Sequence, residues 1–254
     1  MTQSSVPTTV ITGVTRGLGL AMARQMATSG ERVIVLCRRS MPELQELASK
    51  HGTDWYEILV DLSDKEQTIS AGQALGTLLQ EVDKSYMVLN AGVVNPILPA
   101  DQLLDLDSIS TAFTVNIVTP IYLTACFLQA TKQASDRRLM LISSGAGRNA
   151  SHSWGVYCAT KAAMDRYAEA VSLEGHPNLR VSSVAPGIVD TPMQETIRST
   201  PEEVFPQRKK FVDFHQTGAL ASPETTARNL LALMHSEAFG QRATDDIRQH
   251  TFQS

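Results

Sequence analysis

Ser144, Tyr157 and Lys161 are the residues of this chain whose types and spacing suit proton transfer. Tyr157 and Lys161 are four apart near the start of an expected helix, so both project from one face. A buried ammonium beside a phenol favours the phenolate. Tyr157 is therefore expected to titrate below the usual value of about 10 and to act as an acid near neutrality. Ser144 follows the expected strand 138–143, at the carboxyl end, where open α/β sheets place ligands. Its hydroxyl suits a hydrogen bond to a carbonyl oxygen. A Tyr–Lys pair on a helix is common and usually inert, so the chemistry needs support from elsewhere in the chain.

That support lies near the N-terminus. The turn Thr12-Gly13-Val14-Thr15-Arg16-Gly17-Leu18-Gly19 follows an expected strand and opens an expected helix. Its glycines are spaced GxxxGxG, not the dinucleotide GxGxxG, but the physical need is the same. The turn must be tight, the backbone must approach a pyrophosphate without Cβ atoms, and a helix N-terminus must face the anion. Gly13, Thr15, Arg16, Gly17, Leu18 and Gly19 are the expected pyrophosphate cradle. The second strand ends Cys37-Arg38-Arg39, where an NAD site usually carries an acid for the ribose 2′-hydroxyl. No acid is there. Arg38 and Arg39, with Arg16 closing from the glycine turn, suit a 2′-phosphate, so the expected cofactor is NADP(H). Asp61 and Leu62 would hold the adenine edge, and Asn90, Ala91 and Gly92 would line the cofactor, although strand ends commonly carry such turn residues anyway.

The elements that must position these groups alternate. Strands are expected at 8–12, 32–37, 56–62, 85–89, 138–143 and 179–185. Helices are expected at 17–29, 42–51, 64–82, 103–132 in two pieces, and 157–173. The strands are continuous apolar runs, the pattern of strands buried on both faces. Alternation with helices implies right-handed βαβ units. The expected fold class is α/β, a single doubly wound Rossmann-type domain over residues 1–254, with a central parallel sheet flanked by helices. Positions 186–223 carry Pro192, Pro201 and Pro206 among scattered aromatics, read as an irregular stretch with a mobile lid at about 190–220.

Composition excludes other classes. With 43% hydrophobic and 19% charged residues the chain is not disordered by composition. A net charge of −4 gives no basic excess, so neither nucleic acid nor an anionic membrane is an expected partner; Arg208-Lys209-Lys210 reads as a solvated helix face. Met1-Thr2-Gln3-Ser4-Ser5 lacks a charged segment leading into an apolar one, so no signal peptide is expected. No apolar run approaches the roughly 20 residues of a membrane span. Cys37, Cys126 and Cys158 are odd in number and far apart, which suits free thiols in a reducing cytoplasm. The six histidines show no metal-ligand spacing, so no metal is expected.

Taken in order, Gly13/Gly17/Gly19, Asn90-Ala91-Gly92, Asn116, Ser144, Tyr157-x-x-x-Lys161 and Pro186-Gly187 resemble the short-chain dehydrogenase/reductase superfamily over essentially the whole chain. The Ser-to-Tyr spacing of 13 fits the family's habit. The resemblance implies a catalytic tetrad of Asn116, Ser144, Tyr157 and Lys161, with Asn116 holding a helix bend and a water that relays protons to Lys161. It implies hydride transfer from a nicotinamide, with Pro186, Gly187, Val189 and Thr191 along the carboxamide side, and a homodimer or homotetramer. A narrower resemblance rests on Trp154-Gly155-Val156-Tyr157-Cys158, Lys161-Ala162-Ala163 with Asp165, Pro177-Asn178-Leu179-Arg180-Val181, and the run from Ala185 to Gln194. These are similar to the sepiapterin reductase branch, which includes bacterial benzil reductases. That branch implies reduction of a bulky, flat ketone beside a second carbonyl or a hydroxyl, with Trp154 and Met193 against the substrate; both also read as core packing. In that branch an acid seven positions after a Phe anchors the polar end of a pterin. Here Phe239 leads to Asp246 at that distance, but Gly240 follows the Phe directly and Arg242 stands where a glycine is expected. A solvated acidic pair near a frayed terminus is the competing reading. Two further readings stay open: a short-chain alcohol dehydrogenase of another substrate class, and a non-enzymatic NADP-binding redox sensor, which would not need the tetrad.

Overall fold

The structure is a computed structural model and describes residues 6–252; the N-terminal segment read as lacking a signal peptide lies outside them. Among the described residues, seven strands form one sheet in the order β3-β2-β1-β4-β5-β6-β7, every neighbouring pair parallel. They are β1 (Thr8–Thr12), β2 (Arg32–Cys37), β3 (Asp54–Leu59), β4 (Lys84–Leu89), β5 (Asp136–Ile142), β6 (Leu179–Ala185) and β7 (Thr244–Asp246). The apolar runs have a simple geometric use. In β2, Val33, Val35 and Cys37 pack on one face of the sheet, and Ile34 and Leu36 on the other. The helices α1 (Gly17–Met26), α2 (Pro42–Lys50) and α9 (Pro223–His235) cover the first face through Met22, Leu44 and Leu230. On the second face, α3 (Lys65–Leu78), α5 (Thr119–Ala130) and α6 (Gly155–Leu173) bring Leu75, Phe127 and Met164.

β1 lies between β2 and β4, so the chain reverses direction across the sheet there. A crevice opens at the carboxyl ends of β1 and β4, the place where doubly wound sheets bind ligands. Edge position changes the pattern at β3. Its pairing with β2 runs from Arg32↔Asp54 to Cys37↔Leu59, which ends the strand at 59 rather than 62. With no neighbour outside it, β3 leaves Leu59 60% exposed, so burial on both faces does not extend to this strand.

The stretch 186–223 is not irregular. It holds α7 (Pro192–Ser199) and α8 (Arg208–Gln216), and Pro192 occupies the first turn of α7, where a missing N–H costs nothing. Within the region 103–132 the helix is one continuous stretch, Leu106–Ala130, α4 (Leu106–Phe113) running through a π turn (Thr114–Val118) into α5. At 25 residues, with a mean hydropathy of 1.5 over its most apolar window, it is long and apolar enough to cross a membrane, contrary to expectation; 44% of that window is buried inside the protein. Ser108, Ser110, Thr111, Thr114, Asn116 and Thr119 interrupt the apolar run without adding charge.

Phe127 is fully buried between α5, α3 and the sheet. Phe127→Ala is expected to lower the unfolding free energy by about 3–5 kcal/mol in urea titrations. A loss below about 1 kcal/mol would show that the α3–α5 layer is not packed as described.

Candidate active site

The glycine turn is shaped by two close approaches. Gly13 has φ +75°, and a Cβ there would lie 2.8 Å from Ala91 Cα; a Cβ on Gly19 would lie 2.1 Å from the Gly13 carbonyl oxygen. β1 and β4 are tied together above the turn. Thr12 Oγ1 accepts from the Asn90 and Ala91 N–H groups at 3.1 and 3.0 Å, and Asn90 Nδ2 donates to the Thr12 and Gly13 carbonyls at 3.0 and 3.1 Å. No side chain caps α1 and its first turn carries no acid, so its N-terminal N–H groups face the crevice without a built-in anion. A cradle that a Cβ would fill, at an uncapped helix N-terminus, fits a dinucleotide pyrophosphate.

Arg38 stands at the rim of the same crevice. Asp61 closes the far side. Ser63 donates to its carboxylate through N–H at 2.9 Å and Oγ at 2.7 Å, and these bonds, with Arg38 nearby, hold it below the usual carboxylate range. Burial pushes the Cys37 thiol up to about 11, with the Glu57 charge adding to it.

At the other end, Ser144, Tyr157 and Lys161 come together in the cavity wall. Lys161 is 5% exposed and donates to the Ile142 carbonyl at 2.8 Å; its Nζ lies 5.8 Å from the centre of the Tyr157 ring. Burial pulls the ammonium down to about 8, and Asp165 pulls the other way. Tyr157 is 7% exposed, and burial pushes its phenol up to about 12, against the Ser144 hydroxyl. This corrects the expected lowering. The ammonium is spent on a backbone carbonyl rather than on the phenol, and loss of solvent dominates. Ser144 Oγ accepts from the Ala146 N–H at 3.1 Å, which leaves its own proton free to donate. Asn116 sits in the π turn: Oδ1 accepts from Val93 N–H at 2.8 Å, and Nδ2 donates to the Val93 carbonyl at 2.9 Å and to Thr160 Oγ1 at 3.0 Å. A Cβ on Gly92 would lie 3.3 Å from Asn116 Oδ1 and 3.6 Å from Lys161 Nζ, so Gly92 gives these two side chains their room.

One cavity of about 360 Å³ joins both ends. It is lined by Gly13, Thr15, Arg16, Gly17, Leu18, Gly19, Arg38, Asp61, Leu62, Asn90, Ala91 and Gly92 on the cofactor side. Ser144, Trp154, Tyr157, Lys161, Pro186, Gly187, Val189, Thr191 and Met193 line the rest. Three expected site residues do not line it. Arg39 is exposed beyond the rim, and Asn116 acts from behind Gly92 and Val93. Asp246 ends β7 with its carboxylate engaged by Arg248, through N–H at 3.0 Å, Nε at 2.9 Å and Nη2 at 2.6 Å. A carboxylate gripped in this way is neither a solvated surface acid nor a free anchor for a ligand.

The outer wall is aromatic. Trp154 stacks on Phe205 (5.2 Å between centroids, 10° between planes), meets Tyr157 edge-on at 5.5 Å, and touches Phe211 at 5.4 Å. Met193 Sδ lies 4.0 Å from the Tyr157 hydroxyl. Sequence reasoning missed Val93, Thr111, Val115, Gln194 and Ile197 in the lining and Phe205 behind it. The spacing Met193-x-x-x-Ile197 carried a helical signal that the flanking prolines obscured.

A profile described as short chain dehydrogenase matches residues 7–202. A benzil reductase ((S)-benzoin forming) of Bacillus cereus is 33% identical over 238 residues, covering 91% of this chain and 95% of its own. Sepiapterin reductase of Bos taurus is 28% identical over 251 residues, covering 94% and 93%. Among solved structures, a short-chain dehydrogenase/reductase from Burkholderia vietnamiensis is similar with a TM-score of 0.66 and 34% identity, over 96% of this chain and 98% of that one.

The Lys161 environment has a consequence for stability. Its folded value of about 8 is below the unfolded value of about 10.4, so the folded state bears the cost of the buried charge in full below pH 8. That cost fades as pH rises from 8 to 10.4, because the unfolded chain then holds the extra proton. Relative to Lys161→Met, the wild type is expected to gain about 3 kcal/mol between pH 7 and pH 10.4 in paired urea titrations. An unchanged difference across that range would mean the ammonium is not desolvated.

Proposed function

The chain belongs to the short-chain dehydrogenase family and is an oxidoreductase; within that family we propose that it is an NADPH-dependent reductase of a flat, apolar ketone standing next to a second carbonyl or a hydroxyl. The observation that carries this reading is the meeting of Ser144, Tyr157 and Lys161 under an aromatic wall, in one cavity with the glycine turn.

Bound NADPH supplies the hydride for the carbonyl carbon. The chain's own residues do the rest. Tyr157 keeps its proton at neutral pH, so it serves as the donor to the carbonyl oxygen. Ser144 donates to the same oxygen with the proton its contact with Ala146 leaves free. The Lys161 ammonium steadies the negative charge that the phenol acquires as the proton leaves. Trp154, Phe205 and Phe211 exclude water, which strengthens each of these interactions. A phenol that holds its proton favours reduction over the oxidative direction.

Arg38 at the rim, with Arg16 lining the same cavity and no acid at the end of β2, supports NADP(H) over NAD(H). The pairing of Asp246 with Arg248, and the apolar wall of the cavity, support a diketone over a pterin, and the Bacillus cereus relative's name points the same way. The assembly we propose is a homodimer or homotetramer. The face it would cover is the exposed Leu106, Phe113, Val118 and Ile121 along α4 and α5. The free thiols of Cys37, Cys126 and Cys158 support a cytoplasmic setting, and the net charge of −4 supports neither nucleic acid nor a membrane surface as partner.

Benzil turnover followed at 340 nm with NADPH tests the reading. Tyr157→Phe is expected to cut kcat about 10²- to 10⁴-fold while leaving NADPH binding, read by quenching of tryptophan fluorescence, unchanged. Near-normal turnover in that variant would assign the proton to another group. Arg38→Ala is expected to raise KM for NADPH about 10- to 100-fold and to leave KM for NADH nearly unchanged; equal wild-type kcat/KM for the two cofactors would contradict the 2′-phosphate role. Asp246→Ala is expected to leave benzil kinetics within about threefold. A selective collapse of pterin turnover in that variant would restore the acid as an anchor.

A further inference from the structure

Arg148 and Asp165 form an ion pair that the reaction scheme does not use, the carboxylate buried and the guanidinium about one-third exposed. Asp165 lies one turn after Lys161 on α6 and is 7% exposed. Its Oδ2 accepts from Arg148 Nε at 3.1 Å and its Oδ1 from Ser183 Oγ at 2.7 Å. Arg148 closes the turn that begins at Ser144 (Gly145–Gly147), and its Nη2 also donates to the Ser183 carbonyl of β6 at 3.3 Å and the Asp245 carbonyl of β7 at 2.9 Å. The same turn rests directly on the catalytic helix, since a Cβ on Gly147 would lie 2.8 Å from the Lys161 carbonyl carbon. One guanidinium thus fastens the Ser144 turn, α6, β6 and β7 together.

We propose that Arg148 and Asp165 are positioning residues: together they lock the Ser144 turn to the Tyr157 helix, and the Asp165 carboxylate keeps the Lys161 ε-amine in its charged form. The geometry supports both halves. Residues 161 and 165 share a helix face, so the carboxylate and the ammonium are neighbours in an interior that screens them poorly. Burial draws the ammonium toward its neutral form, and Asp165 is the charge that opposes this. The charged groups around the pair are Lys161 on α6, Asp245 with His250 at 2.8 Å, and the Asp246–Arg248 pair, within reach of Arg148's field. The proposal rests on the reading of Tyr157 and Lys161 as the proton-transfer pair.

The test uses lysine-selective ¹³C labelling of the cofactor-free chain, with the Lys161 signal assigned by its loss in Lys161→Arg. In Asp165→Asn the Lys161 titration midpoint is expected to move to lower pH. With benzil and NADPH at pH 8, kcat is expected to fall about tenfold while KM for benzil stays within about twofold. The double variant Arg148→Met/Asp165→Asn is expected to recover thermal stability lost in the single variant, because the guanidinium no longer stands without its partner, and its Lys161 midpoint is expected to lie between that of the single variant and the wild type. If Asp165→Asn does not fold, the double variant carries the measurement. A Lys161 midpoint at the wild-type value in every folded variant would overturn the proposal and leave the pair a structural clasp. The titration needs no turnover, so a wild type inactive on benzil would count against the proposed reaction and not against this inference.

Discussion

Lys161 lies nearly buried in the cavity floor, and its hydrogen bond to the Ile142 carbonyl, at 2.8 Å, holds it at the carboxyl end of β5. An ammonium in such a place loses most of its hydration, and a protein keeps it there only where the surroundings replace what water gave. Much of the local architecture follows from that need. Gly92 leaves the room that Nζ and Asn116 occupy. The π turn between α4 and α5 aims Asn116 at the loop after β4, and Thr160, next to Lys161 on α6, meets its amide at 3.0 Å. Asp165 supplies a counter-charge one turn along the helix, held in turn by Arg148 and Ser183.

Tyr157 sits above this base, in a pocket that starves its phenol of solvent and so keeps it protonated. The aromatic wall of Trp154, Phe205 and Phe211 extends the same dryness outward, while the glycine turn and the uncapped start of α1 provide polarity at the opposite end. The cavity is therefore graded, from a cradle suited to phosphate, through a single proton donor, to an apolar surface. A large flat carbonyl compound beside a dinucleotide matches that gradient.

Legibility in the sequence tracked how local the determining physics is. β1, β2 and β6 were readable to their end residues because each is a short, largely buried run, rich in β-branched residues and paired on both sides. β7 was not. Its residues, Thr244-Asp245-Asp246, are polar, and it is a strand because β6 offers a free edge and because His250 and Arg248 pair with the two acids. α7 and α8 were obscured by Pro192, Pro201 and Pro206, which read as breakers although Pro192 begins a helix. The tetrad was legible from its spacing, since Tyr157 and Lys161 need only one helix to meet. The direction of the phenol's shift was not, because it depends on the partner Lys161 chooses, a carbonyl brought in by β5. The same holds for Asp246, whose availability is decided by an arginine two residues further on.

The two halves of the cavity work as one site, with the carbonyl carbon set against the dinucleotide while Tyr157 serves its oxygen. The most direct measurement is to incubate the protein with benzil and NADPH deuterated at the reactive C4 position in ordinary water, using each C4 diastereomer separately, and to weigh the product. Benzoin carrying one deuterium on carbon is expected from one diastereomer and none from the other. Benzoin without deuterium from both, or no benzoin at all, would contradict this arrangement.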